Sequence, residues 1–166
     1  MRRVIVLFFL IIITFLIQTT LFSFHDVTGI APNLLLIMTM SFGIMRGRKE
    51  GLLVGFFSGL LFDFFYSSLV GPYAFIFMII GYVNGFFHKT FLMEDVLLPV
   101  VIISIDQLIL DFLIYVGSFL LRNRTDLKFY FIHIILPQVL YTALVTAIIY
   151  RFYVMINRYL KKKALK

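Results

Sequence analysis

Long apolar runs are the feature of this sequence that most restricts how the chain can fold. Of its 166 residues, 62% are apolar and only 14% are charged, and the mean hydropathy is +1.05. A soluble domain needs more polar surface than this to cover its core, whereas a helix needs ~20 apolar residues to cross ~30 Å of hydrocarbon. We therefore predict an all-α, polytopic membrane protein with one integral domain over residues 1–166. Its six transmembrane helices are expected at about 4–24, 30–45, 52–70, 73–87, 96–121 and 132–156.

The basic residues predict how these helices are oriented. The chain has 15 Lys and Arg residues against 8 Asp and Glu residues, which gives a net charge of +7. With six alternating helices, one side of the membrane receives both termini and the loops at Arg46 and Lys89, and it holds all the basic residues except Arg122, Arg124 and Lys128. Because Lys and Arg stay in the cytoplasm, we expect both termini there. Since the charges lie at the ends of apolar runs, we expect contact with the lipid bilayer and no nucleic-acid partner.

Small residues recur every four positions in the third run, GLLVGFFSGLLFD, and again in the fourth run. Positions four apart form one stripe along a helix. In lipid, a stripe of this kind lets a second backbone approach closely. That backbone belongs either to this chain or to a partner. The predicted helix-packing residues are Gly51, Gly55, Gly59, Asp63, Gly81 and Gly85.

Polar side chains inside the predicted helices form a second group, namely Asp63, Asp106, Gln107, Asp111 and His133. An aspartate facing lipid near the bilayer centre costs about 2.5–3.5 kcal/mol, so we expect Asp63 to face protein, as an interhelical clamp or as a functional acid. Gln107 and Asp111 share a helix face, whereas Asp106 and Asp111 point about 140° apart. His133 is the nearby residue that could pair with these acids as a cation. The surplus of acids has three interpretations: protonated carboxyl groups, a cation pathway, or donors supplied by a partner protein.

The sequence contains no pattern that predicts catalysis or metal binding. Cysteine is absent, which excludes disulfides and thiolate metal sites. The three histidines lie in separate segments, so helical metal-ligand spacings are missing too. Ser58-Gly59 lacks the glycine that a membrane serine protease has two residues before its serine, because that position is Phe56. We expect no enzyme activity, no catalytic residue, no metal and no cofactor.

Several motifs follow one another in a fixed order along the chain. They are Pro32-Asn33-Leu34-Leu35 before the second helix, the basic turn MRGRKEG before the third, the G-x3-G-x3-D pattern of Gly55, Gly59 and Asp63, then Gly71, and Gly81-Tyr82 with Gly85. This ordered set resembles the family of the rod shape-determining protein MreD, over nearly the whole chain. The resemblance implies a non-enzymatic scaffold subunit of the bacterial cell-wall elongation machinery, required for cell shape. It also implies a multi-pass protein of the cytoplasmic (inner) membrane.

The same resemblance implies partners and an alternative. The direct partner is MreC, a single-span protein with an extracytoplasmic domain, and the indirect partners are MreB filaments and RodA with its transpeptidase. We expect the MreC helix to pack against the glycine face of the third helix or against a neighbouring helix. The fold is similar to the substrate-binding subunits of energy-coupling-factor transporters, so the alternative is a substrate-binding subunit for a vitamin-type small molecule. Those subunits often carry an A-x3-A motif in their first helix, and residues 4–24 contain no alanine.

Overall fold

The computed structural model describes residues 2–22, 31–67, 70–89, 97–122, 129 and 131–162. Its α-helices are α1 Arg2–Phe22, α2 Leu34–Arg46, α3 Arg48–Tyr66, α4 Pro72–Asn84, α5 Leu97–Arg122 and α6 Leu136–Lys162. A 3₁₀ turn at Gly85–Lys89 follows α4, and a π-helical turn at Phe131–Ile135 precedes α6. These ranges contain no strand, so the predicted all-α class is confirmed. The basic residues Arg124 and Lys128, used to orient the helices, lie outside the described residues.

A single glycine separates α2 from α3. Gly47 has φ +94°, a conformation that costs glycine little and other residues much. Its N–H donates to Gly43 O at 2.8 Å, and its own carbonyl oxygen accepts from Gly51 N at 3.0 Å. Because the turn is this short, α3 begins inside the basic segment, at Arg48, and not at Leu52 where the apolar run starts.

Helix α2 lies at the centre of the bundle. Every residue of Leu34–Met45 is buried, and the helix contacts α1, α3, α4, α5 and α6. Two side chains satisfy its first N–H groups: Asn33 Oδ1 accepts from Leu36 N at 3.1 Å, and Gln18 Oε1 accepts from Leu35 N at 3.1 Å. With 13 residues, α2 is only ~20 Å long. It is enclosed by protein along its whole length.

Hydrogen bonds tie the last helix to the second. Asn33 N donates to Thr142 Oγ1 at 3.4 Å near the start of α6, and Arg46 Nε donates to Asn157 Oδ1 at 2.8 Å near its end. These two contacts show that α2 and α6 run parallel. Arg46 also pairs with Glu50 at 3.0 Å.

The outer surface is more apolar than that of a water-soluble protein, and the interior holds polar side chains beside an apolar core. Large apolar residues are exposed on the outer faces of the helices, for example Phe9 at 60%, Phe65 at 67% and Ile148 at 76%. Fully buried polar residues line the inside: Thr39, Ser41, Ser58, Asp63, Gln107, Thr142, Thr146 and Asn157. Polar groups inside and apolar groups outside suit a chain surrounded by lipid.

Two described segments, Leu97–Gly117 and Phe131–Tyr159, are long and apolar enough to cross a membrane, with 21 and 29 residues. Ile5–Thr20, Leu34–Arg46 and Pro72–His88 are apolar but shorter. In α3, charged residues occupy the first turn and shorten its apolar part. The remaining four crossings therefore stay a prediction.

Candidate functional site

Helices α3 and α4 are antiparallel, and their backbones touch along the glycines. A Cβ added to Gly55 would overlap the carbonyl group of Phe77, and a Cβ added to Gly59 would overlap that of Tyr73. Hydrogen is therefore the largest substituent that fits at either position. Helices that approach this closely gain dispersion contacts along their whole backbones, which is the main attraction between helices in lipid.

Three helices meet where Gly43 of α2, Gly51 of α3 and Gly81 of α4 lie together. A Cβ on Gly43 would lie 2.8 Å from Gly81 O, and a Cβ on Gly51 would lie 2.7 Å from Gly43 Cα. A Cβ on Gly51 or Gly81 would also overlap the carbonyl oxygen of the other residue. Gly85 extends the contact, because a Cβ there would overlap the backbone of Arg48.

Asp63 is fully buried and caps the N-terminus of α4. Its Oδ2 accepts hydrogen bonds from Gly71 N at 3.0 Å and Ala74 N at 2.8 Å, and its Oδ1 accepts from Tyr73 N at 3.2 Å. The N-cap residue of α4 is Gly71, which has no side chain to accept these bonds. The carboxyl group also lies at the positive end of the helix dipole. Asp63 thus joins the end of α3 to the start of α4.

The acids of α5 have different partners. Asn84 Nδ2, at the end of α4, donates to Asp106 Oδ2 at 2.7 Å and to Ile80 O at 3.0 Å. Gln107 Nε2 donates to Asp111 Oδ1 at 2.8 Å. The structure thus brings Gln107 and Asp111 together and leaves Asp106 to a neighbouring helix.

His133 does not reach these acids. Its Nδ1 lies 3.2 Å from Phe129 O, and its ring stacks on that of Phe129 with the centroids 4.3 Å apart. The side chain is exposed at the beginning of the last helical segment. His133 is therefore not the cationic partner that the sequence offered. Within the described ranges, no group of three or more metal-binding side chains is present.

The family model described as rod shape-determining protein MreD matches residues 1–163 of the chain. This chain belongs to the MreD family. MreD proteins are membrane proteins of a structural family that determines rod shape. No curated protein and no solved structure matches the chain. The likeness to energy-coupling-factor subunits stays a prediction, and these comparisons give the transporter alternative no support.

In this MreD-family chain, the glycine face of α3 is filled by α4. The sequence left open whether the packed helix belongs to the chain or to a partner, and the structure places the chain's own helix there. A foreign helix cannot lie on Gly55 and Gly59 at the same time, because the carbonyl groups of Phe77 and Tyr73 occupy that space. The expectation that MreC binds this face of α3 is therefore wrong for the folded hairpin. Binding of MreC to a neighbouring helix stays a prediction.

Sequence reasoning missed three residues that hold this MreD-family bundle together. Gly43 precedes Gly47 and Gly51 by four and eight residues, so extending the glycine spacing backward from the third run would have found it. Asn84 lies between the predicted packing glycines Gly81 and Gly85, and its bond to Asp106 was not predicted. Asn157 is close to the basic tail, which begins at Arg158. Nothing in the sequence indicates that Asn157 bonds to Arg46.

Proposed function

We propose that this chain is a non-enzymatic scaffold subunit of the bacterial cell-wall elongation machinery. The observation that carries the proposal is the MreD family match over residues 1–163. We further propose that the chain crosses the cytoplasmic membrane six times, with both termini in the cytoplasm. In this arrangement it binds MreC directly, and MreB and RodA with its transpeptidase indirectly.

The side-chain distribution supports a multi-pass arrangement. Each described helix apart from α2 exposes large apolar side chains, and these would be poorly placed in water. The short helix α2 needs no lipid-facing surface because it is enclosed by protein. Six crossings therefore do not require every helix to be long enough to meet both edges of the hydrocarbon by itself.

The arrangement of the basic residues supports the proposed orientation. Arg46, Arg48 and His88 lie at one end of the bundle, where His88 Nδ1 is 2.8 Å from Ile44 O and the Arg48 guanidinium stacks 4.4 Å from the ring centre of Phe86. The Arg46–Asn157 bond places the end of α6, which leads into the basic tail, at the same end. Positive charge collected at one end is the pattern expected of a cytoplasmic face.

For MreC, we propose a contact on the outer face of the α3–α4 hairpin. The residues of α3 opposite the glycines are Leu53, Phe57 and Phe64, which are 53%, 44% and 62% exposed. The glycine contacts and the Asp63 cap hold this face in one position, so a partner helix would lose little by ordering it. The glycines then act on MreC binding indirectly, by fixing the hairpin.

Cysteine crosslinking to co-expressed MreC tests this proposal, because the chain has no cysteine of its own. We expect Phe57→Cys and Phe64→Cys to crosslink to cysteines placed along the MreC membrane helix. Ser58→Cys is the matched control, since Ser58 is adjacent to Phe57 but 0% exposed, and it should not crosslink. Failure of the two chains to co-purify from gently solubilised membranes would refute MreC binding itself. Crosslinks from other helices alone would refute only the proposed face.

A further inference from the structure

Arg151 places a positive charge on the outer face of α6, inside the apolar segment Phe131–Tyr159. Its side chain is exposed, and it has no hydrogen bond or ion pair among the residues that the structure describes. A charge that faces lipid inside a membrane is costly, so charged residues there are paired or serve a function. Arg151 therefore needs an anion beside it.

The acids of this chain do not meet that need. The four described acids are engaged elsewhere, Glu50 in an ion pair and Asp63, Asp106 and Asp111 in hydrogen bonds. The other four lie outside the described residues, in the connections between apolar runs: Asp26, Glu94, Asp95 and Asp126. From the sequence, we expect those connections at the membrane surfaces and not at the depth of Arg151. The anion is then best supplied by another molecule.

The position of Arg151 along α6 argues against a lipid phosphate group as that anion. The exposed ionisable residues that flank the apolar run are His133 and Arg158, about 38 Å apart along a helix. Hydrocarbon ~30 Å thick and centred between them would hold Arg151 about 7 Å below the nearer surface. That surface lies toward the C-terminus of α6, whereas Cα–Cβ bonds tilt toward the N-terminus of a helix. The arginine side chain therefore starts away from the nearer head groups.

Arg151 also belongs to a line of exposed side chains with the spacing of a helix-packing contact. Leu144, Ile148, Arg151, Met155 and Arg158 are separated by four, three, four and three residues, and we call this line the α6 seam. Such alternation keeps side chains on one side of a helix and is the spacing at which two helices pack at about 20°. Its apolar members are 69%, 76% and 61% exposed, so no described helix covers it.

We propose that the α6 seam packs against a membrane helix of a partner protein, and that an Asp or Glu of that helix pairs with Arg151. A carboxyl group can accept two parallel hydrogen bonds from the planar guanidinium and supplies the missing negative charge. One charged residue within an apolar seam also fixes the register and the choice of partner. A second copy of this chain is a poor partner, because a symmetric contact would place its Arg151 against this one.

Photocrosslinking of the full chain in growing cells tests the proposal. The photoreactive amino acid p-benzoylphenylalanine replaces Met155, which is one turn from Arg151 and 61% exposed. The matched control site is Phe75, which is 60% exposed but lies on α4. We expect an adduct with a membrane protein from position 155, and Arg151→Gln should lower its yield about tenfold or more. Adducts from position 75 should not change.

A charge exchange then separates a specific ion pair from a general contact. Mass spectrometry of the adduct identifies the crosslinked helix, which we expect to carry an Asp or Glu. Replacing that acid with Lys should remove the adduct with the wild-type chain. The same replacement should restore the adduct with Arg151→Asp, which by itself should lose it.

Several results would overturn the proposal. Adducts with lipid alone would assign Arg151 to a head group, and an adduct that persists in Arg151→Gln would show that the charge is not needed. A crosslinked helix without an acid, or no restoration in the charge exchange, would also overturn it. SDS titration checks the fold, because Arg151→Gln should keep wild-type stability if Arg151 has no partner within the chain. A loss of stability would show that Arg151 serves the chain's own fold and would overturn the proposal too.

Discussion

Adding one methyl group to Gly55 should destabilise the bundle, although alanine is the better helix former. The Cβ of Gly55→Ala would overlap the carbonyl group of Phe77 and lie 3.0 Å from Thr39 Cγ2, so α3 and α4 must separate. Overpacking of this kind costs about 1–3 kcal/mol, and the gain in helix propensity returns at most ~1 kcal/mol. We expect a net loss of about 1–2 kcal/mol, which lowers the folded-to-unfolded ratio about 5- to 30-fold.

Gly117→Ala is the matched control, since Gly117 is also in the interior of a helix but has no described atom within 4 Å of the added Cβ. It should leave stability unchanged or raise it by up to ~1 kcal/mol. The unfolding equilibrium of both variants can be measured by SDS titration in mixed micelles. Wild-type stability of Gly55→Ala, or equal destabilisation of Gly117→Ala, would refute the close contact of α3 with α4 at Gly55.

Three further predictions concern the polar contacts. Asp63→Leu removes a cap that satisfies buried N–H groups and should lower the free energy of unfolding by about 3 kcal/mol. Asp63→Asn keeps one acceptor and should lower it by about half as much. Equal losses of stability in SDS titration, and of shape rescue in cells, for the two variants would contradict the capping role. Asn84→Leu leaves Asp106 without its donor, so the double variant with Asp106→Leu should lose less stability than the two single variants together. Additive losses of stability in this double-mutant cycle would show that the bond contributes nothing. Arg46→Met should free the end of α6 from α2 and speed amide exchange around Asn157, and an unchanged exchange rate there would argue against this tie.

The sequence predicted which faces pack but not what they pack against. The spacing of Gly51, Gly55 and Gly59 is a property of one helix, so it identifies a side and cannot name the neighbouring backbone. The neighbour depends on the length of the connection between α3 and α4. That connection is short enough for α4 to fold directly back onto the glycines.

The role of Asp63 could have been predicted more closely. A helix that begins with Gly71-Pro72 has no side chain at its N-cap, and its first N–H groups need an acceptor from elsewhere. Asp63, at the other end of the same short connection, is the nearest carboxyl group in the sequence. The Asn84–Asp106 bond was harder to predict, because it depends on the relative depth of α4 and α5, which residue spacing along one helix does not give.

The enclosed position of α2 has a consequence for biosynthesis. This helix is made second, yet its walls include α5 and α6, which leave the ribosome last. In the proposed arrangement of six crossings, the growing chain must therefore hold α2 with part of its surface facing lipid or a helper protein during translation. The hydroxyl groups of Thr39 and Ser41 donate to carbonyl groups of α2 itself, at 2.9 and 2.6 Å. Both hydroxyl groups therefore have a hydrogen-bond partner even before α5 and α6 are made.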